Sequence, residues 1–400
     1  MQHKWRTLLL LSLAELMAMA VWFSASAVVP ALTETWNLTD SGRAWLTMSV
    51  QMGFVIGALG SAVLNLADTL PARHFFTISA IAAGIATILI PIVANGLTVA
   101  IVLRLLTGIL LAGVYPVGMK IMATWTKEDR GLGIGLLVGA LTIGSAMPHL
   151  INAFGGVIQW QPVLYGAGAL AILGGLIGFA FVDEGPYKTK TPPFNWKEVG
   201  LILREREVVL ANLGYLGHMW ELYAMWTWIP LFLLTSFALV GVDAQWASIV
   251  AFLVIAVGGL GSLIAGKLAD QYGRTLITSI AMTTSGFCAL TIGFLFGGNA
   301  ILLTIVALIW GVTIVADSAQ FSAAVSELSP KDYVGTALTL QTSLGFLLTL
   351  FTIRMIPTLE TAVGWQYAFV MLAFGPAVGI AAMLKLRGLP EAVKLAGGNR

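Results

Sequence analysis

His218 and Glu221 stand three residues apart in Gly217–Pro230, which reads GHMWELYAMWTWIP, inside an apolar run of about thirty residues from Val208 to Phe237. About 20 such residues cross a bilayer. An ionisable side chain at bilayer depth costs about 3 kcal/mol or more, so these two must face a cavity or a partner rather than lipid. A spacing of three places them on one helix face, which Met225 and Trp228 continue. Three chemistries stay open for the pair: a proton relay, two ligands of a metal site, or a structural hydrogen bond. Two ligands with no thiolate cluster beside them weigh against metal. An acid withdrawn from water is suited to carry a proton near neutral pH.

The first apolar segment repeats the pattern. In Ala14–Trp22, AELMAMAVW, the residues Glu15, Met19 and Trp22 keep the spacing of Glu221, Met225 and Trp228. Two acids at matching places in two halves of a chain predict a site on a pseudo-symmetry axis. The remaining ionisable residues inside apolar segments are Arg104, His149 and Asp317. Glu221 is the first candidate for a proton or solute site, against a buried ion pair. Glu15 lies nearer its segment's end, where reaching the interface is the alternative. Asp317 shares a face with Trp310 and Thr313. Arg104 is either a clamp for an anionic solute or the counter-ion of one of the acids. His149 shares a face with Thr142 and Ser145 and reads as a structural histidine. Among the aromatics around Glu221, Trp228 is placed to stack on a solute or to pack. A polar face of Thr336, Thr339 and Ser343 lines a cavity or packs.

These residues need a scaffold of membrane-crossing helices. Hydrophobic residues make up 58% of the 400 and charged ones 10%, against about 25% charged in ordinary globular chains. Twelve apolar segments recur, near 7–31, 44–65, 75–95, 98–119, 132–153, 163–182, 208–236, 246–265, 276–296, 300–321, 335–357 and 365–384. Backbone polar groups in lipid must bond internally, so each segment is a helix. The expected fold is an all-α integral membrane protein of twelve transmembrane helices in two pseudo-symmetric six-helix bundles. The division is 1–182 for the first bundle, 183–207 for a linker with an amphipathic surface helix, 208–384 for the second bundle and 385–400 for a tail. With the N-terminus inside, eighteen of the 21 Lys and Arg fall on the inner side. That asymmetry predicts cytoplasmic termini in a multi-pass protein of a bacterial inner membrane. The run at Met1–Leu32 is too long for a cleavable signal. One cysteine, Cys288, excludes a disulfide framework.

Short motifs sharpen the class. Leu66-Ala67-Asp68 and Leu268-Ala269-Asp270 recur at the inner ends of segments 2 and 8. Gly266-Lys-Leu-Ala-Asp270-Gln-Tyr-Gly273-Arg274 resembles the loop motif of the major facilitator superfamily, departing at Gln271. The first-half copy keeps Asp68, has Leu64 and Pro71 for the glycines, and carries Arg73 one place late. Arg104-Leu-Leu-Thr-Gly108 and Glu128-Asp129-Arg130-Gly131 are similar to further motifs of that superfamily. The resemblance implies parallel halves with a solute site between them and a cavity lined by helices 1, 4, 7 and 10. It implies gating roles for Asp68, Arg73, Gly266, Asp270, Gly273 and Arg274. The expectation is a monomeric secondary transporter of a small solute, driven by protons through alternating access. It includes no enzyme activity, no cofactor, no metal and no nucleic-acid partner. Three buried acids against one arginine favour a neutral or cationic solute over a strongly anionic one. The rival reading is a membrane receptor or scaffold with the same fold. Near-matches to soluble-enzyme motifs fail: Gly261–Lys267 ends before Leu268, where a P-loop needs a hydroxyl.

Overall fold

The structure, a computed structural model, describes residues 2–126, 130–155, 159–187, 195–202, 204–330 and 333–399. Eleven helices among them are long and apolar enough to cross a membrane. With the first helix they make twelve spans, numbered α1 (Gln2–Met19), α2 (Asp40–Val63), α3 (Ala72–Val93), α4 (Leu97–Trp125), α5 (Arg130–Gly155), α6 (Gln161–Phe181), α7 (Arg206–Leu239), α8 (Ala244–Tyr272), α9 (Arg274–Leu295), α10 (Ala300–Leu328), α11 (Val334–Val363) and α12 (Trp365–Arg387). The architecture is the expected twelve-helix, two-bundle one. Several helices outrun their apolar segments, α4 reaching Trp125 and α10 Leu328, because intrahelical hydrogen bonding continues past the hydrocarbon boundary.

Local signals explain the ends. Thr39 caps α2, its hydroxyl accepting from the Gly42 N–H at 3.2 Å. Gly273 joins α8 to α9 at φ 100°, a left-handed conformation that glycine adopts without penalty. Among the described residues five spans are interrupted: α8 at Val257, α12 over residues 369–373, and three more that bear on the site. α4 breaks at Ala112–Val114 and α10 at Asp317, matching places in the two halves. α1 unwinds over Ala20–Ala25, then runs through a short 3-10 turn, Ser26–Val28, into the helix Val29–Trp36. Its counterpart α7 is continuous.

The halves meet along two seams, α2 against α11 and α5 against α8. At the α5–α8 crossing Gly139 faces Gly259, where an added β-carbon would stand 3.1 Å from the Gly139 Cα. Small residues let the backbones approach this closely, as membrane helix packing requires. Toward one end of the seams Asn152 meets Ser248, and Thr361 donates to Asp40. At mid-depth Phe54 and Phe346 touch, their centroids 4.7 Å apart. The linker helix Trp196–Ile202 docks on the start of α11. There the Asn195 N–H donates to the Thr336 hydroxyl, which donates to Glu198. Thr336 is therefore committed to holding the linker.

Candidate solute and proton site

Glu221 is buried in the second bundle, and both carboxylate oxygens are engaged. Oε1 accepts from the Trp310 indole N–H at 2.6 Å, and Oε2 accepts from the Ser285 hydroxyl at 2.9 Å. One turn lower on α7, His218 Nδ1 lies 2.8 Å from Asp317 Oδ1, at ion-pair distance but off the hydrogen-bond axis. The two contacts form a ladder between α7 and α10, with α9 supplying Ser285. Tyr215 and Phe321 flank His218, with ring centroids 6.1 and 5.9 Å away. The His218 Nε2 has no partner among the described residues. Asp317, at the break in α10, supplies the ladder's second rung.

Three of the sequence candidates, His218, Glu221 and Asp317, thus come together. Glu15 does not join them. Its carboxyl is fully buried in the first bundle against Gly118 of α4, with neither oxygen hydrogen-bonded among the described residues. The 206-residue offset that relates Glu15 to Glu221 also relates Arg104 to Trp310. In the second half that position supplies the donor to Glu221; in the first half it does something else.

Arg104 reaches the unwound part of α1. Its Nη1 donates to the Val21 carbonyl at 2.6 Å and to the Ser24 hydroxyl at 3.1 Å, its Nη2 to the Trp22 carbonyl, and its Nε to Leu46 O at 3.2 Å. Backbone carbonyls freed by the break, not a carboxylate, compensate this buried guanidinium. Irregular backbone at membrane depth survives where protein groups satisfy it, and the five-donor fork of arginine suits several carbonyls at once.

The break also aims two consecutive aromatics, Trp22 and Phe23, at the second bundle. Trp22 packs on Phe54 of its own half and on Tyr223 and Phe346 of the other, at 5.0, 6.0 and 5.6 Å between centroids. Phe23 meets Tyr223 and Trp226 at 6.1 and 5.8 Å. In a regular helix neighbouring side chains diverge by 100° and could not share this junction. Polar atoms lie among the rings without partners among the described residues: Trp22 Nε1, Trp226 Nε1, and both side-chain polar atoms of Gln51. Gln51 sits on α2 between Thr47, bonded to Ser26 at 2.5 Å, and Phe54, packed on Trp22, so it faces α1 beside the Trp22 ring. Trp228 stands elsewhere, donating its indole N–H to Ile353 O of α11 at 2.9 Å.

At the end of the bundles that carries the termini, Arg274 is the hub. It makes a two-pronged pair with Glu327 at 2.7 and 2.8 Å, donates to Gln320 at 2.6 Å, and lies 3.3 Å from Asp270. Asp270 is largely exposed. Gly266 stands one turn before Asp270 on α8, open toward Gln320. Arg73 pairs with Asp183 at 2.8 Å and lies over the Phe179 ring. The side chain of Asp68 and residues Glu128 and Asp129 lie outside the described residues. Sequence reasoning missed Ser285, Glu327 and Gln51. An acid at the inner end of α10 is the one sequence signal by which Glu327 could have been found.

A bundle of twelve spans with acids buried inside each half and an aromatic junction between the halves defines a polytopic membrane protein of two repeated bundles. The chain belongs to the Major Facilitator Superfamily, whose family model matches residues 11–353. It is 23% identical over 188 residues to a probable L-galactonate transporter of Escherichia coli (strain K12), and 25% identical over 173 residues to the MFS-type transporter pytF of Aspergillus terreus (strain NIH 2624 / FGSC A1156). Each match takes in 42% of this chain, and 41% and 56% of those relatives, so the chain aligns with about half the length of each. Its fold is that of a D-xylose-proton symporter (TM-score 0.75, 15% identity, 98% of this chain and 99% of that one). It is equally that of the nucleoside transporter NupG (TM-score 0.73, 16% identity, 95% and 99%).

Proposed function

We propose that the protein carries a small, neutral, hydroxyl-bearing solute by alternating access, with proton movement coupled through Glu221. The observation that carries the reading is the buried Glu221, held by donors from α9 and α10 one turn above the His218–Asp317 contact. A titratable group inside a bundle biases alternation when its surroundings, and so its proton affinity, differ between the two conformations. The solute class follows from the junction. Aromatic faces with an amide and two indole N–H groups suit hydroxyl groups on a compact ring. Arg104, the buried arginine that would anchor an anion, is bonded to carbonyls instead. One relative is named a probable L-galactonate transporter and two structural neighbours a D-xylose-proton symporter and a nucleoside transporter; all three solutes are rich in hydroxyls, and the two of the structural neighbours are neutral.

The test is a thermal-shift screen of purified protein against pentoses, hexoses, nucleosides, amines and carboxylates. A binder stabilises the native state by mass action. A hydroxylated neutral compound is expected to raise the melting temperature, and Gln51→Ala to weaken its binding about tenfold, the loss of one or two buried hydrogen bonds. Stabilisation by amines or carboxylates alone would contradict the solute class.

The charge asymmetry supports cytoplasmic termini and a cytoplasmic 183–207 linker. Reporter fusions should then place Asn195 in the cytoplasm and Asp243 outside; the same compartment for both contradicts the twelve-helix reading, and the reverse placement contradicts this orientation. Asp270, Arg274 and Glu327 fasten the ends of α8, α9 and α10 when that face is closed, and Arg73 with Asp183 does the same in the first half. Because Glu327 takes the two-pronged pair and Asp270 is exposed, Glu327→Gln should raise cysteine labelling inside the cytoplasmic mouth more than Asp270→Asn does. Equal labelling in both variants and the parent would leave these residues as surface charges.

A further inference from the structure

Away from the junction, toward the face opposite the termini, residues 26–31 with α5, α7 and α8 line a small cavity of about 30 Å³. Its polar lining includes Ser26, His149, Asn152, Thr227 and Ser248. The first three belong to one half and the last two to the other, so the cavity exists only while the halves are together on this face. Asn152 spans the seam, its amide nitrogen donating to Ala27 O at 3.3 Å and to the Ser248 hydroxyl at 3.2 Å. Two polar atoms remain unpartnered among the described residues, Asn152 Oδ1 and His149 Nε2. They lie on one face of α5, three residues apart, and their side chains are 6% and 1% exposed.

Buried polar atoms without partners are rare, and each calls for an explanation. A water needs about 10–15 Å³ of accessible space and two to four polar neighbours. This cavity meets both conditions, and its lining carries no carboxylate to favour a metal cation. A water suits both orphans: it donates to the amide oxygen, and it donates to or accepts from the imidazole nitrogen. We infer that the cavity holds one ordered water bridging His149 Nε2 and Asn152 Oδ1, and that the Asn152–Ser248 bond, whose amide this water orients, is the latch closing the face opposite the termini. His149 and Asn152 therefore act in conformational gating and not in solute contact. The inference does not depend on the solute class or on Glu221.

The test needs no solute. Val29 lines the cavity and is buried. In a Cys288→Ser background, Val29→Cys should react slowly with a membrane-impermeant maleimide added on the face opposite the termini. Adding Asn152→Ala should raise the labelling rate about threefold to tenfold, the shift expected from losing one buried hydrogen bond. Ser248→Ala, a milder change that keeps the fold, should raise it in the same direction. Unchanged rates in both variants, with monodisperse protein, overturn the latch. An experimental structure that resolves other buried waters should show density within hydrogen-bond reach of His149 Nε2 and Asn152 Oδ1. A dry cavity there, or an ion with six short oxygen contacts, overturns the water.

Discussion

Arg104→Ala should destabilise the protein more than any other single change named here. The substitution strips the Val21, Trp22 and Leu46 carbonyls of their donor in a fully buried setting. The Val21 carbonyl keeps the Ser24 hydroxyl as a donor and Leu46 lies within regular α2, so the Trp22 carbonyl is the one left unpaired; with several charge-assisted bonds lost together, a total of about 3 kcal/mol is expected after relaxation. The functional consequence follows from the same contacts. Without the guanidinium the unwound turn has no reason to persist, and Trp22 and Phe23 no longer share the junction with Tyr223. Transport should fall with stability. Arg104→Lys keeps the charge but offers a single point donor in place of a planar fork, so it should recover part of the melting temperature and little of the transport. A melting curve for Arg104→Ala that overlays the parent would show that the break in α1 is held by something else.

The same residue shows where the sequence stops being legible. Twelve apolar segments, two halves and the His218–Glu221 face are local patterns, and the fold contains all of them. Partnership is not local. The first apolar segment, 7–31, carries no proline before Pro30 and reads as one helix. The carbonyls its unwinding exposes are met by an arginine about eighty residues away on α4. Ser285 and Trp310, the donors to Glu221, are ordinary members of apolar helices until packing brings them within 3 Å. The matched pair Glu15 and Glu221 was legible as a repeat, yet the two carboxyls do not meet. The repeat relates each acid to its own bundle, and each bundle then surrounds it differently. Thr336 and Trp228 show the same limit: their polarity and position on a helix were readable, but their commitments to the linker and to Ile353 were not.

Glu221→Gln carries the second large effect, and here the protein should remain folded. The amide keeps the shape of the carboxyl group, its oxygen accepts from the Trp310 N–H, and its nitrogen donates to the Ser285 hydroxyl, which rotates to accept. Only the ability to gain and lose a proton is removed. Exchange of solute across the membrane requires alternation but no net proton movement, so it should persist. Accumulation against a gradient requires that proton binding differ between the two conformations, and a group that cannot titrate supplies no such difference.

Proteoliposomes loaded with the solute identified in the screen allow both activities to be measured on one preparation. Counterflow is followed without a pH gradient, and accumulation is followed with one imposed. With proton coupling through Glu221, the Gln variant retains counterflow near the parent rate and loses pH-driven accumulation entirely. If the variant still concentrates solute against its gradient, Glu221 is not the coupling group, and Asp317 or Glu15 takes its place.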